Sequence, residues 1–383
     1  MDWRRLVAVS FVVLAAAGCN DDADGPDLDP AEVEQGRQIF RHDTFGDEQL
    51  WTDQLRMHEV IASGVSPQTA LAVGLKVDSS VLPAGILQTA DLTSPATTVE
   101  LIRLDAVVGV KGRVENGRLV SMGITCALCH STVDNSVAQG IGQRLDGWAN
   151  RDLNPGLILS LSPAMQDPAK QQVLKSWGPG KYDAYWNHDG INDPQVIPAA
   201  FGLGNVSLET FTGEGPVSYW NNYVAVTQMG GRGDFNDARL GIRIDQEPDM
   251  VTPKLPPLRA YQLSLAAPAP PAGSFDAAAA ARGRTLFQGR ARCVTCHSGG
   301  SFTDANDRLH APAEVGTDAK LASRGTTRAY RTTPLRGAWQ HPPYFHDGSA
   351  KTFADVVRHY NGHLGLQLSA AEIADLEQYL KSL

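Results

Sequence analysis

Two five-residue runs, Cys126-Ala-Leu-Cys129-His130 and Cys293-Val-Thr-Cys296-His297, constrain what this chain can fold into more than anything else in it. Each is a CxxCH. The spacing suits covalent attachment of haem: two thiols add across the two vinyl groups, and the adjacent histidine sits under the iron as its proximal ligand. With the Cys and His content of this chain, one chance CxxCH would arise in roughly two of a thousand such sequences, and two far more rarely. Paired CxxC motifs can also hold zinc, but the usual gap between them is about 15 to 20 residues, and two histidines in identical places would go unexplained. A thioredoxin-like dithiol needs one CxxC in a βαβ setting and no following histidine. The motifs therefore predict two covalently bound c-type haems, held by Cys126, Cys129, Cys293 and Cys296, with His130 and His297 on the irons.

The fifth cysteine, Cys19, ends a different pattern. Arg4 and Arg5 precede a run from Leu6 to Ala17 that is apolar except for Ser10, and small residues follow. This reads as a secretory signal peptide over residues 1–18, its apolar run shorter than the roughly 20 residues a membrane-spanning helix needs. Ala16-Ala17-Gly18-Cys19 resembles the bacterial lipobox, departing from it at Ala16, where leucine is usual. Lipidation of Cys19 accounts for an otherwise unpaired thiol in an exported chain. Residues 19–30, rich in aspartate, then form an acidic tether that cannot build a core. The expected location is the periplasm, with membrane contact only through the N-terminal lipid. Haem attachment outside the cytoplasm agrees with export.

The remainder is globular in composition, 42% hydrophobic and 20% charged. A formal charge of −9 offers no basic face for nucleic acid and suits cationic partners better. The stretch from Thr252 to Phe275 contains six prolines and reads as a connection between domains, with residues 267–274 as the linker proper. Residues 31–266 then form a first haem domain with insertions, and residues 275–383 a second cytochrome c domain. In the second, Ala277 to Phe287 predicts a helix leading into the CxxCH. Ser369 to Glu372 is a capping box that opens a terminal amphipathic helix. In the first, Ala31 to Phe40 echoes the helix before the second motif, and Val107 to Ile124 alternates around Asn116-Gly117 as a β-hairpin does. The fold class is mainly α: two cytochrome c-like domains, each with one covalent haem, and a short hairpin inserted in the first.

The run from Tyr330 to Leu383 resembles the second domain of bacterial dihaem cytochrome c peroxidases and MauG-type enzymes. It carries TPLRG (333–337), PYFHDGS (343–349) and the final helix in the same order, after a haem motif followed by GGSFTD (299–304). The first domain matches loosely, through its haem motif, Ile197-Pro198 and Gln228-Met229-Gly230. The resemblance implies that the first haem reacts with hydrogen peroxide and the second relays electrons from a small periplasmic cytochrome or cupredoxin. It also implies a structural calcium between the domains. The activity expected on this basis is reduction of peroxide. The alternatives are MauG-like oxidation of a protein or organic substrate, and electron transfer without catalysis.

Departures from the family pattern are specific. The last methionine is Met250, so the second domain has none to give its haem, and at the matching place stands Tyr360, as in MauG-type proteins. Tyr360 ranks first as the second iron's further ligand, followed by His363 and His359, with His346 as a site residue shaping the haem surroundings. No histidine lies between His130 and His188, so the first iron is either open or takes Met229, Met122 or His188. Gln228 stands where the family has the glutamate that moves the peroxide proton. Glu214, Asp234 and Asp237 are nearby substitutes, each expected as a solvated carboxylate. The family's tryptophan between the haems is replaced by Phe211, leaving Trp220 as the candidate stepping stone, or as an ordinary core aromatic.

Overall fold

A computed structural model describes residues 26–383. The signal peptide expected over residues 1–18, the lipidation site Cys19 and the tether as far as residue 25 lie outside the described residues. Among the described residues no helix is long and apolar enough to cross a membrane. These residues are mainly helical, and every sheet among them is two-stranded.

One packing unit occurs twice. The helix Pro30–His42 starts at Asp29, whose side chain accepts from the backbone N–H of Ala31, with proline in the first turn and Arg41 and His42 in the last. It buries Gly36, Ile39 and Phe40 against the helix Leu255–Ser264. The approach is so close that a Cβ at Gly36 would fall 1.8 Å from the Pro257 carbonyl oxygen. Phe40 meets Tyr261 edge to face at 5.4 Å. In the C-terminal part the helix Ala277–Gln288 crosses the helix Ala370–Lys381 in the same way. A Cβ at Gly283 would lie 2.1 Å from the Asp375 carbonyl oxygen, and Phe287 meets Tyr379 edge to face at 5.2 Å. Only glycine permits either crossing, and each aromatic pair adds about 0.5–1.5 kcal/mol beyond its burial.

Leu255–Ser264 corrects the sequence reading of the whole Thr252 to Phe275 stretch as connection. Pro256 and Pro257 sit in the first turn of a helix, where a missing N–H costs nothing, and Leu258 and Tyr261 are buried. Beyond it, residues 265–276 hold no helix or strand. The capping box at Ser369 and Glu372 is present on both sides. The hairpin forms with Val110–Glu115 antiparallel to Arg118–Ile124, and Asn116 and Gly117 both take positive φ in its turn.

Two hydrophobic clusters result. The larger gathers Phe40, Phe45, Tyr223 and Leu258 with Leu321, Ala322 and Tyr330 from far along the chain; the smaller is built on Phe287, Phe353, Leu376 and Leu380. Buried ionic contacts tie the two parts. The Arg324 guanidinium pairs with Asp183 and Asp189, each at 2.8 Å, and lies over the Tyr185 ring. Glu214 is buried and accepts from the backbone and hydroxyl of Thr326.

Asp47 is fully buried beneath the hairpin, where its carboxylate accepts from the Ile124 N–H, and burial raises its pKa to about 9. An acid raised this far binds its proton more tightly folded than unfolded. Folding stability therefore falls as pH rises from the ordinary carboxylate range toward 9, by up to about 1.4 kcal/mol per pH unit. Asp47→Asn should remove that slope. Denaturant titrations at pH 5 and 8 check this, and an unchanged slope would refute the assignment.

Candidate haem centres

At both CxxCH motifs the backbone presents the histidine in one tautomer. His130 Nδ1 lies 3.0 Å from the Pro198 carbonyl oxygen, and His297 Nδ1 lies 3.0 Å from that of Phe302. A carbonyl only accepts, so each Nδ1 donates and each Nε2 keeps its lone pair, the form a metal ligand requires. Burial holds both imidazoles below the usual histidine range, hence neutral at pH 7. The four thiols are unbridged, and burial raises Cys126 and Cys129 to about 12 and Cys293 to about 11.

Local structure fixes the first motif. Cys126 opens the turn Ala127–His130, and the chain beyond pairs Ser131–Val133 with Arg144–Asp146. Asp146 then accepts from Arg41, Ser131 and Tyr261, joining the motif to both helices of the first crossing. Gly147 N donates to His130 O at 2.8 Å, and Asn150 N to Cys129 O at 2.9 Å. The second motif begins on the turn Cys293–Thr295, after Arg292 in the left-handed region.

Two arginines supply what a haem's carboxylates need. Arg151, directly after Asn150, has its Nε and one terminal nitrogen buried without a partner; Arg331, whose backbone N–H donates to Phe211 O, has its Nε in the same state. Burial lowers both guanidiniums to about 10. Orphaned buried donors of this kind are costly, and a carboxylate satisfies them through two parallel bonds. Sequence reasoning missed both, since nothing in their spacing marks them. The residues present thus fit a covalently attached haem: the cysteines would bind the vinyl carbons, His130 and His297 the iron, and the arginines the propionates.

The remaining sequence-predicted residues divide clearly. The Tyr360 hydroxyl has no hydrogen-bond partner among the described residues; burial, with the nearby Cys296 and Cys293, pushes it up to about 12. His359 and His363, the rival ligands, face elsewhere. Their Nε2 atoms donate to the carbonyl oxygens of Val315 and Glu314 at 2.9 and 3.0 Å. His346 is buried, stacks on Tyr330 at 4.6 Å with Nε2 3.2 Å from its hydroxyl, and accepts from Val196 N through its carbonyl. Gln228 is fully engaged: Tyr182 donates to its oxygen at 3.0 Å, and its amide donates to Asn187 and Thr227. Tyr182 itself lies within electrostatic reach of Cys129.

Trp220 packs at 5.2 Å from Tyr223 and 5.7 Å from Tyr185, inside the larger cluster and away from the second motif's surroundings. His188 is exposed beside Tyr223, whereas Met122 and Met229 are buried in the larger cluster. The expectation that Glu214, Asp234 and Asp237 are solvated is corrected for two of them. Glu214 and Asp237 are buried, the latter held well below the usual carboxylate range by Arg239 and the Tyr219 hydroxyl. Asp234 is half-buried and accepts from Gln246 N. Among the described residues, one group of three could share a metal: Cys296, Asp304 and His310. Its sulfur and imidazole differ from the oxygen set calcium takes, and Cys296 already belongs to the haem motif.

Residues 280–383 match the family model described as cytochrome c. The chain is 33% identical over 113 residues to methylamine utilization protein MauG of Methylophilus methylotrophus, covering 26% of this chain and 33% of that protein. It is 38% identical over 88 residues to MauG of Methylorubrum extorquens, covering 21% and 24%. The chain thus spans about a third or less of the length of these relatives. A variant of the dihaem peroxidase BthA from Burkholderia thailandensis overlaps 93% of this chain and 86% of its own, at 13% identity and a TM-score of 0.31.

If the arginines hold propionates as argued above, removing either should lower the reduction potential of the haem it would hold, because the ferrous form carries one more negative charge. A shift on the order of tens of millivolts follows from Coulomb's law at an effective dielectric near 20. Redox titration of Arg151→Leu and Arg331→Leu, read at each haem separately, would show it; unshifted potentials in both would exclude the anchoring role.

Proposed function

Because this chain is a member of the superfamily of MauG proteins and dihaem cytochrome c peroxidases, we propose that it is an exported dihaem oxidoreductase that takes hydrogen peroxide as oxidant. Cys126, Cys129 and His130 would hold the haem that meets peroxide, and Cys293, Cys296 and His297, with Tyr360 as a further ligand, would hold the one that relays electrons. The iron supplies the exchange of electrons. Overall, one peroxide, two protons and two electrons give two waters.

The observation that carries this reading is the Tyr360 hydroxyl, left without a partner beside Cys293 and Cys296 while His359 and His363 are tied to carbonyls. An anionic oxygen ligand favours the oxidised metal and lowers its potential. A relay of low potential is suited to giving up electrons and holding oxidising power. Of the three readings the sequence left open, this favours oxidation of a protein or organic substrate, as in MauG-type enzymes, over rapid peroxide disposal. The engaged Gln228 points the same way. Its oxygen is taken by Tyr182 and its N–H groups by Asn187 and Thr227, and an amide cannot take the proton of peroxide. His346 and Tyr330 form a buried stacked pair that holds the PYFHDGS loop against Val196, two residues before the carbonyl that orients His130.

Electrons reach the second site from the substrate or from a small periplasmic cytochrome or cupredoxin, and the acidic chain attracts a cationic partner. Lipidation at Cys19 would keep the protein at a membrane surface on the periplasmic side.

Optical and electron paramagnetic resonance spectra of the fully haem-loaded protein, before and after stoichiometric peroxide, test the reading. A high-spin ferric signal that disappears with peroxide is the expected result; two low-spin signals indifferent to peroxide would leave an electron carrier. Gln228→Glu installs a base and should raise the rate constant for peroxide by about 10²-fold at neutral pH, measured by stopped flow.

A further inference from the structure

The strand Lys181–Tyr182 is held between two segments that belong to the first haem motif's surroundings. On one side it pairs with Gln195–Val196, and Ile197 N donates to Gly180 O at 2.9 Å, one residue before the Pro198 carbonyl that orients His130. On the other side Gly180 takes a φ of +70°, and a Cβ there would lie 2.7 Å from the Arg151 carbonyl oxygen. Glycine thus lets the strand close on the segment that follows Cys129 and Asn150. The Tyr182 ring meets Trp177 edge to face at 5.3 Å, and Trp177 is itself fixed by its Nε1–H, which donates to Asn192 Oδ1 at 3.0 Å. So placed, the Tyr182 hydroxyl lies 3.0 Å from Gln228 Oε1 and within electrostatic reach of Cys129.

The polar hydrogens at this wall are unequal. Both N–H groups of the Gln228 amide are spent, on Asn187 Oδ1 at 3.0 Å and Thr227 Oγ1 at 2.9 Å, and the planar amide cannot turn one without disturbing the other. The Tyr182 O–H makes one hydrogen bond among the described residues, to Gln228 Oε1. It turns about a single C–O bond and can leave that oxygen for another acceptor while the ring stays where it is.

We propose that Tyr182 is a catalytic residue of the first haem site, its hydroxyl being the donor that meets a small anionic or oxygen ligand there and gives the departing oxygen of peroxide its proton. The proposal rests on the dihaem reading above, in which Gln228 stands beside that site. One peroxide takes two electrons, from the donor of that reading, and two protons. As the O–O bond breaks, its electron pair goes with the departing oxygen, which takes the Tyr182 Oη proton and leaves as water. The remaining oxygen receives the two electrons and a second proton from solvent, and solvent also restores the phenol. Solvent is close at hand, since Asn187, the partner of the Gln228 amide, is exposed. Burial holds the phenol proton well above its ordinary range, so Tyr182 is neutral and a donor at neutral pH, and a reluctant acid. Such a group turns peroxide over more slowly than a carboxylate base would, in keeping with the amide at position 228.

The test uses the full haem-loaded chain and reads binding as well as turnover. Fluoride is titrated into the ferric protein and followed by absorbance, because its hold on an open haem iron depends on the hydrogen bonds it accepts. Tyr182→Phe keeps the ring and its contact with Trp177 and removes only the hydroxyl. Fluoride affinity should then fall by about tenfold or more, the worth of one hydrogen bond to a charged acceptor. Gln228→Leu removes the acceptor that competes for the same hydrogen, so fluoride affinity should hold or rise, whereas a donor role for the amide would lower it. In the ferrous protein Tyr182→Phe should raise the stretching frequency of bound carbon monoxide, and by stopped flow it should slow the reaction with peroxide by about tenfold or more. Native fluoride affinity and a native carbon monoxide stretch in Tyr182→Phe overturn the proposal, as does a loss of affinity confined to Gln228→Leu. If Tyr182→Phe fails to load haem, Gln228→Leu reads the same hydrogen from the other side. Fluoride binding that depends on Tyr182 in a protein inert to peroxide would refute the peroxide reading and the proton step with it, and leave Tyr182 as the ligand's donor. A protein that takes neither fluoride nor carbon monoxide overturns both.

Discussion

An imidazole binds iron only through a nitrogen that carries a lone pair, and in this chain two backbone carbonyls decide which nitrogen that is. Pro198 O takes the Nδ1 proton of His130, and Phe302 O that of His297. Both acceptors lie on loops that other contacts must hold in place. The Pro198 loop follows Gln195–Val196, which pairs with Lys181–Tyr182 and receives the His346 carbonyl. The Phe302 loop is closed by Thr303, whose N–H donates to Ser298 O and whose hydroxyl donates to Thr332 O. Loop order, sheet pairing and the PYFHDGS segment are therefore upstream of the ligand geometry. A disturbance in any of them reaches the histidines that would bind iron through a proton's position.

The same dependence explains why the two parts of the chain share so much buried polarity. Arg324 sits among Asp183 and Asp189 with its side chain only 5% exposed, and a guanidinium in that position repays its desolvation only with such partners. Glu214 accepts from Thr326 and Arg331 N donates to Phe211 O across the same boundary. These contacts are specific in direction and tolerate little sliding, which apolar packing would allow. On the proposed dihaem reading, two redox sites would need that fixed separation, because electron transfer falls steeply with distance.

How much of this was legible in the sequence follows from the range of the forces involved. The CxxCH motifs, the capping box at Ser369 and the hairpin at Asn116-Gly117 are set by neighbours within a few residues, and the structure has them where the pattern placed them. The echo of Ala31 to Phe40 in Ala277 to Phe287 was visible, but its partner was not. Leu258 and Tyr261 share their spacing with Leu376 and Tyr379, yet prolines at 256 and 257 made that helix look like a linker. Long-range facts left no local trace. The burial of Glu214 against Thr326 and the orphaned donors of Arg151 and Arg331 arise where segments distant in sequence meet.

On the proposed reading, Tyr360 and Gln228 act on one process from two different sites. On the proposed reading, tyrosine at the second site makes electrons easier to remove there, and the amide at the first slows the proton transfer that begins peroxide cleavage. A rapid peroxidase would want neither, since it needs a fast first step and a relay that accepts electrons readily from a weak donor. An enzyme that must wait for a bulky or scarce substrate gains from both: peroxide is consumed slowly, and the oxidising power so made is held across two sites. Such storage works only if charge moves freely between the sites, which places the burden on the contact that joins them.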